Sequence, residues 1–194
     1  MSESIKTVLA LDLSLSTGWC ITNTSDTPTY RSGKWKLRNT DPISRIISLQ
    51  EELYEALTFD HIDLIVFERV DFSKFLLAYA SYNQLLAMVY LFANATNTPL
   101  YGVPTGTLKK YSTGNGGADK EAMVAKANEI WYPEQHFDVK ADNDEVDARL
   151  LAKLAIEHLV NPLLAVSFKA NFDTRNPLVK EKKKRINKKK NAKK

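Results

Sequence analysis

The feature that most constrains this chain is a pair of short apolar runs that each end on an acid. Residues 5–13 read IKTVLALDL and residues 63–68 read DLIVFE. Such runs suit strands buried on both faces of a parallel sheet. Asp12 and Glu68 nevertheless stand at their carboxyl ends. A buried carboxylate costs several kcal/mol unless it is paired or bound to a metal. At the same ends of neighbouring strands, the two would converge.

The surrounding pattern supplies the rest of a sheet. Residues 17–24 and 29–37 predict two strands joined by the turn-forming SDTPT stretch. A helix is expected over 42–58, with Asp41 as N-cap, Pro42 in the first turn and Ile43, Ile46, Ile47, Leu53 and Leu57 on one face. A second helix is expected over 75–95, apolar on more than one face and ending before Pro99. A short strand at 99–103 leads into a Gly-rich connection. Helices near 119–131, stopped by Pro133, and near 143–160, stopped by Asn161 and Pro162, complete the order. The sequence βββαβαβαα, with acids at strand ends, fits an α/β fold with a ribonuclease H-like mixed five-stranded sheet flanked by helices.

The last helix carries a second pair of acids. At about 100° per residue, Glu145, Arg149, Lys153 and Glu157 of DNDEVDARLLAKLAIEH gather on one polar side. Asp144 and Asp147 fall instead with Ala148, Leu151, Leu154 and Ala155, the side that packs on the sheet. Taken alone, the pair suits a cap in the first helical turn, where acids are favoured, as well as it suits a ligand set. With Asp12 and Glu68 added, a metal site is the better reading. Four inward carboxylates match Mg²⁺ or Mn²⁺, which prefer oxygen ligands. Two such ions roughly 3.5–4 Å apart can drive phosphodiester cleavage.

Charge places a restriction on the nucleic-acid argument. The chain has a formal net charge of +4, but residues 180–194 contribute ten Lys/Arg against one Glu, which leaves the other 179 residues at −5. The basic pI therefore belongs to a Lys-rich tail, expected to be disordered over 176–194, behind a nuclease domain spanning 1–175. Such a tail would add salt-sensitive affinity for DNA. The single cysteine, Cys20, precludes an intramolecular disulfide and a multi-Cys zinc site and reads as a buried thiol. His61, His136 and His158 show no metal-ligand spacing, and Trp19, Trp35 and Trp131 read as core or interface aromatics. No secretory signal is read, and no segment is expected to reach the roughly 18 apolar residues of a membrane span. A reducing compartment, the cytoplasm, is expected.

The segment KKYSTGNGGADKEAM, Lys109 to Met123, resembles the signature of RuvC-type Holliday junction resolvases. That signature is a lysine followed by a G-x-G-x-A-x-K stretch leading into a helix, filled here by Gly114, Gly116, Ala118 and Lys120. The resemblance extends over about residues 6–160 and takes in LIVFERV, SYNQLLAMVYLFANAT and DEVDA. It implies a homodimer that nicks a four-way DNA junction symmetrically, using two Mg²⁺ or Mn²⁺ ions per site. It further implies that Asp12, Glu68, Asp144 and Asp147 are the metal ligands and that Lys120 acts at the scissile phosphate.

The chain departs from that pattern in three places. Ser14 stands where the family has a glycine two residues after the first acid, and the loop to Thr17–Gly18 is shorter. Asp71 occupies the position of an aromatic wedge, leaving Phe72 or Phe75 for that role, though either suits the core as well. The Lys tail is also foreign to the pattern. These are features of a divergent member of phage or virus type, which would work in a host's cytoplasm. Arg69, Lys74, Lys109 and Lys110, with Lys120 and Phe72, form the expected DNA-binding surface. Two rivals share the fold. DLSLSTG loosely resembles the first phosphate loop of sugar kinases and actin-like ATPases, but those need two such domains. A non-catalytic DNA-binding or partner-binding protein would keep the fold and use its basic tail. Closer than either rival, a nuclease acting on forks, flaps or other branched DNA would keep the same chemistry.

Overall fold

The computed structural model describes residues 6–71 and 75–160. Five strands, β1 (Thr7–Asp12), β2 (Ser16–Asn23), β3 (Tyr30–Lys36), β4 (Leu64–Arg69) and β5 (Leu100–Pro104), form one sheet in the order β3-β2-β1-β4-β5. β1 is the pivot. It pairs antiparallel with β2, from Thr7↔Asn23 to Asp12↔Gly18, and parallel with β4, from Val8↔Leu64 to Leu11↔Phe67. The outer pairs follow suit, antiparallel for β2–β3 and parallel for β4–β5. The expected mixed five-stranded sheet is present, its strands in the expected order along the chain.

Helices α1 (Pro42–Phe59) and α2 (Leu76–Ala95) cover one face of the sheet. Asp41 caps α1 as expected, accepting the amide protons of Ile43 and Ser44 at 2.9 Å each. Leu9, Leu11, Ile65 and Phe67 pack there with Leu49, Leu53, Leu85, Val89 and Phe92 in one buried cluster. Among the described residues α2 is long and apolar enough, by length and composition, to cross a membrane. This corrects the expectation that no segment would reach that measure. Its few polar residues are outweighed by Leu, Ala, Tyr and Phe, and it buries Tyr82, Leu85, Met88, Val89, Phe92 and Ala93 against the sheet and α1.

Three more helices follow: α3 (Thr105–Thr113), α4 (Lys120–Trp131) and α5 (Val139–Val160). α3 replaces part of the Gly-rich connection expected after β5. Its sequence, TGTLKKYST, is rich in residues of weak helix propensity. Burial of Leu108 and closure by Gly114 hold it instead. Gly114 takes φ +80°, a left-handed conformation that glycine adopts freely, and its amide donates to the Lys110 carbonyl at 2.9 Å.

The chain divides into two units, Met1–Glu157 and His158–Lys194. The sheet and every residue of the site belong to the first. The expected boundary at 175, the Lys-rich tail, Phe72 and Lys74 lie outside the described residues.

Candidate metal centre

Strand alternation decides where the acids go. Leu9 and Leu11 of β1, and Ile65 and Phe67 of β4, join the α1–α2 core. Their neighbours Ala10 and Asp12, and Val66 and Glu68, therefore point to the opposite face. α5 lies on that face. The main chain of Asp144 sits against Gly18, the ladder partner of Asp12. The turn that brings the chain back into β2 is tight. Ser14 Oγ accepts the Ser16 amide proton at 3.1 Å, and Thr17 Oγ1 donates to the Ser14 carbonyl at 2.7 Å. Side-chain hydrogen bonds thus close this loop where the family pattern has a glycine.

α5 begins at Val139, four residues before the expected start. Its N-terminus is capped by Asp138, whose carboxylate accepts the amides of Lys140 and Ala141 at 2.9 Å each. Asp142 returns the favour by accepting the Asp138 amide at 2.9 Å. Asp144 and Asp147 consequently lie beyond the first turn, where the amides of Asp138, Lys140 and Ala141 are already served. The capping alternative for that pair is removed.

Asp12, Glu68 and Asp147 come together with a carboxylate oxygen from each lying within 4.8 Å of the others. Glu68 is only 9% exposed. Burial, then the charges of Glu68, Asp147 and Asp144, raise the Asp12 carboxyl well above its usual range, with Lys120 opposing. Burial and the Glu68 charge push Asp147 up to about 7, against the opposing charges of Lys109 and Lys120. Burial likewise raises Glu68, opposed by a hydrogen bond from Thr105 and by the charge of Lys109. Crowded, desolvated like charges raise carboxyl pKa values, and a hard divalent cation relieves them directly. The donor set is all oxygen, which fits Mg²⁺ or Mn²⁺. Asp144 stands beside this trio rather than within it. Its charge reaches Asp12 and Asp147, and its Oδ1 accepts from Asn143 Nδ2 at 2.5 Å.

A small cavity of about 160 Å³ opens beside Glu68 and Asp147, bounded by Thr105, Lys109, Asp119 and Lys120. Thr105 and Lys109 are four residues apart on α3 and so share a face. The Lys109 ammonium also donates to the carbonyl of Ala118, tying α3 to the glycine loop. Asp119 then caps α4 through the Ala122 amide at 2.9 Å, and Lys120 opens that helix at the cavity rim. The G-x-G-x-A-x-K stretch therefore has a physical reading: a left-handed cap, a buried Ala118 whose carbonyl holds one lysine, and a helix start that presents the next. Thr105 escaped the sequence reading because α3 did. Its spacing of four from Lys109 would have found it had the helix been recognised.

The remaining candidates separate. Arg69 is engaged by Asp71, with Nε and Nη2 donating at 2.7 and 3.1 Å. Lys110 is exposed and lies outside the cavity lining. Phe75 is 76% exposed ahead of α2. Arg149, on the polar side of α5, is itself buried, whereas Glu157 of the same side is exposed. Arg149 is 7% exposed, its guanidinium stacked 4.7 Å from the Trp131 ring centroid and 5.3 and 5.5 Å from those of Tyr30 and Phe137. It donates to Ser32 Oγ at 3.2 Å and to the Gln135 side-chain oxygen, while Ser32 Oγ donates to Glu145 at 2.7 Å. Cys20 is buried as expected, and burial pushes its thiol up to about 12.

No protein-family model matches the sequence, and no curated protein matches it. Solved structures do. RuvC of T. thermophilus, in complex with a Holliday junction substrate, superposes with a TM-score of 0.66 at 17% identity, covering 87% of this chain and 97% of that one. A second structure of Thermus thermophilus RuvC gives 0.62 at 16% identity, over 77% of this chain and 97% of that one. The yeast mitochondrial Holliday junction resolvase Ydc2 gives 0.53 at 16% identity, over 79% and 81%. The fold is thus the ribonuclease H-like fold of RuvC.

Proposed function

We propose that this chain is a divalent-metal-dependent endodeoxyribonuclease that resolves four-way DNA junctions. The observation that carries the proposal is the convergence of Asp12, Glu68 and Asp147 within 4.8 Å at the open end of the sheet. The solved structures that superpose on the chain bear the names of Holliday junction resolvases, one with its junction bound, which supports the same reading.

Asp12, Glu68 and Asp147, with Asp144 alongside, would hold the Mg²⁺ or Mn²⁺ ions, two per site. When bound, such ions supply Lewis-acid charge and lower the pKa of water. The reaction is hydrolysis: water oxygen bonds to phosphorus in line, the bond to the 3′ oxygen breaks, and 5′-phosphate and 3′-hydroxyl ends remain. This chain's own contribution is placement and charge. Lys120 at the cavity rim, supported by Lys109, sets positive charge where a scissile phosphate gains negative charge. Thr105 orients the Glu68 carboxylate so that it faces its partners.

Two-fold cleavage requires two copies. The exposed apolar residues Leu76, Leu77, Tyr90 and Leu91 of α2, each more than half exposed, support a homodimer built on that helix. Arg69, Phe72, Lys74, Lys110 and the Lys-rich tail remain proposed DNA contacts.

The test is cleavage of a synthetic four-way junction beside fork, flap and duplex controls, in Mg²⁺, Mn²⁺ or EDTA, with Asp144→Asn and Asp147→Asn variants. Paired symmetric nicks in the junction, absent in EDTA and in the variants, are expected. Equal cleavage of forks and flaps would make the protein a general branched-DNA nuclease. Binding without cleavage of any substrate would sink the enzyme reading. A monomer on sedimentation with junction DNA would overturn the dimer.

A further inference from the structure

Beyond the acids themselves, the way β1 and β4 separate points to a residue that no sequence pattern marks. Their ladder ends at Leu11↔Phe67, one residue before both carboxylates. Past that point β1 stays paired only with β2, Asp12 opposite Gly18, and turns away at Ser14. The Ile65 amide of β4 points to the β5 side, donating to the Pro99 carbonyl at 2.9 Å. By alternation the Glu68 carbonyl and the Val70 amide point to the β1 side, where the neighbouring strand has left. Buried backbone groups need partners. The Tyr82 hydroxyl of α2 provides both, donating to the Glu68 carbonyl at 3.0 Å and accepting the Val70 amide proton at 3.2 Å. Tyr82 is 6% exposed and stacks on Tyr79, with ring centroids 6.3 Å apart.

We propose that Tyr82 is a positioning residue for the metal ligand Glu68. Its hydroxyl takes the place of the departed strand, pinning the end of β4 so that the Glu68 carboxylate is held at ligand distance from Asp12 and Asp147. The proposal rests on the metal-site reading above. An unpinned strand end would let the Glu68 main chain drift, and a ligand that must be re-ordered on binding weakens affinity.

Tyr82→Phe keeps the ring, its stack and its packing, and removes only the hydroxyl. Mn²⁺ binding to the DNA-free protein, measured by calorimetry, is expected to weaken about tenfold. Tyr79→Phe, which strips a hydroxyl from the stacked neighbour, should bind as the parent does. Hydrogen exchange at the Val70 amide should accelerate in Tyr82→Phe. Parent-like Mn²⁺ affinity in that variant, even with a lowered melting temperature, overturns the proposal and leaves the hydroxyl a structural bond. A parent that binds no Mn²⁺ instead overturns the metal reading, and this inference with it. Should the variant not fold, the parent alone decides. A bond that favours the metal must in turn be strengthened by it, so Mg²⁺ should slow exchange at Val70. Unchanged exchange at saturating Mg²⁺ overturns the proposal.

Discussion

A Cβ added to Gly18 would lie 1.8 Å from the carbonyl oxygen of Asp144. No side chain fits between β2 and α5 there, so the helix that carries two of the acids rests directly on the strand opposite Asp12. The Gly18→Ala variant must push α5 outward by an ångström or more. We expect it to lose at least tenfold in Mn²⁺ affinity and most junction cleavage. A folded Gly18→Ala protein with parental metal binding would show that the close approach is not needed.

Asp147 should destabilise the metal-free protein. Its carboxyl is buried beside Glu68 and raised to about 7, so the charged form is the strained one. In EDTA at about pH 8, Asp147→Asn should be more stable than the parent by roughly 1–2 kcal/mol, read as a higher melting temperature. The same variant should gain nothing from Mn²⁺, whereas the parent should. A lower melting temperature in EDTA would show that hydrogen bonding at Asp147 outweighs repulsion.

The pH dependence of the metal-free protein follows from the same group. Unfolded, Asp147 gives up its proton near 3.8; folded, it holds it up to about 7. Between those values the folded chain binds more protons, so raising the pH favours unfolding. Asp12 and Glu68 are raised as well and act in the same sense. In EDTA, urea midpoints should fall as pH rises from about 5 to 8, by on the order of 2 kcal/mol in stability. With saturating Mg²⁺ the slope should flatten or reverse, because the ion competes with protons for the same oxygens. A flat profile in EDTA would mean that the trio is not crowded in solution.

Arg149→Ala removes a buried cation from three aromatic rings and leaves Glu145 with a weakened partner network. We expect a loss of about 3 kcal/mol in urea unfolding. Arg149→Met, which keeps the packed stem, should lose less. A change below about 1 kcal/mol for the alanine variant would mean that solvent already reaches the cage.

Much of this was written in the local pattern and some was not. The strands could be read because IKTVLALDL and DLIVFE admit little but burial, and Asp12 and Glu68 stood out as charges at the ends of those runs. α3 was hidden because its stability comes from Leu108 in the core and from the turn at Gly114, not from its threonines and glycine. The start of α5 was misjudged because Asp144 and Asp147 look like first-turn acids; only the hydrogen bonds of Asp138 and Asp142 reveal that the turn lies further upstream. Arg149 stands on the polar side of α5, and the rings that bury it come from β3, at Tyr30, and from Trp131 and Phe137 around the end of α4, which no helical spacing marks. Tyr82 matters through the backbone of another element, and no spacing along the chain encodes that.

The aromatic surroundings of Arg149 bear on how α5 is aimed. Asp147 and Arg149 are two residues apart, which places them about 200° apart around the axis. One anchors in a nest of rings and the other in a ring of oxygens. Turning the helix by a single residue would put Ala148 or Leu150 among the aromatics and Val146 or Ala148 among the acids, so both errors would be felt together. The helix is thereby keyed like a bolt with two unlike teeth, and its aim is fixed before any ion or DNA arrives.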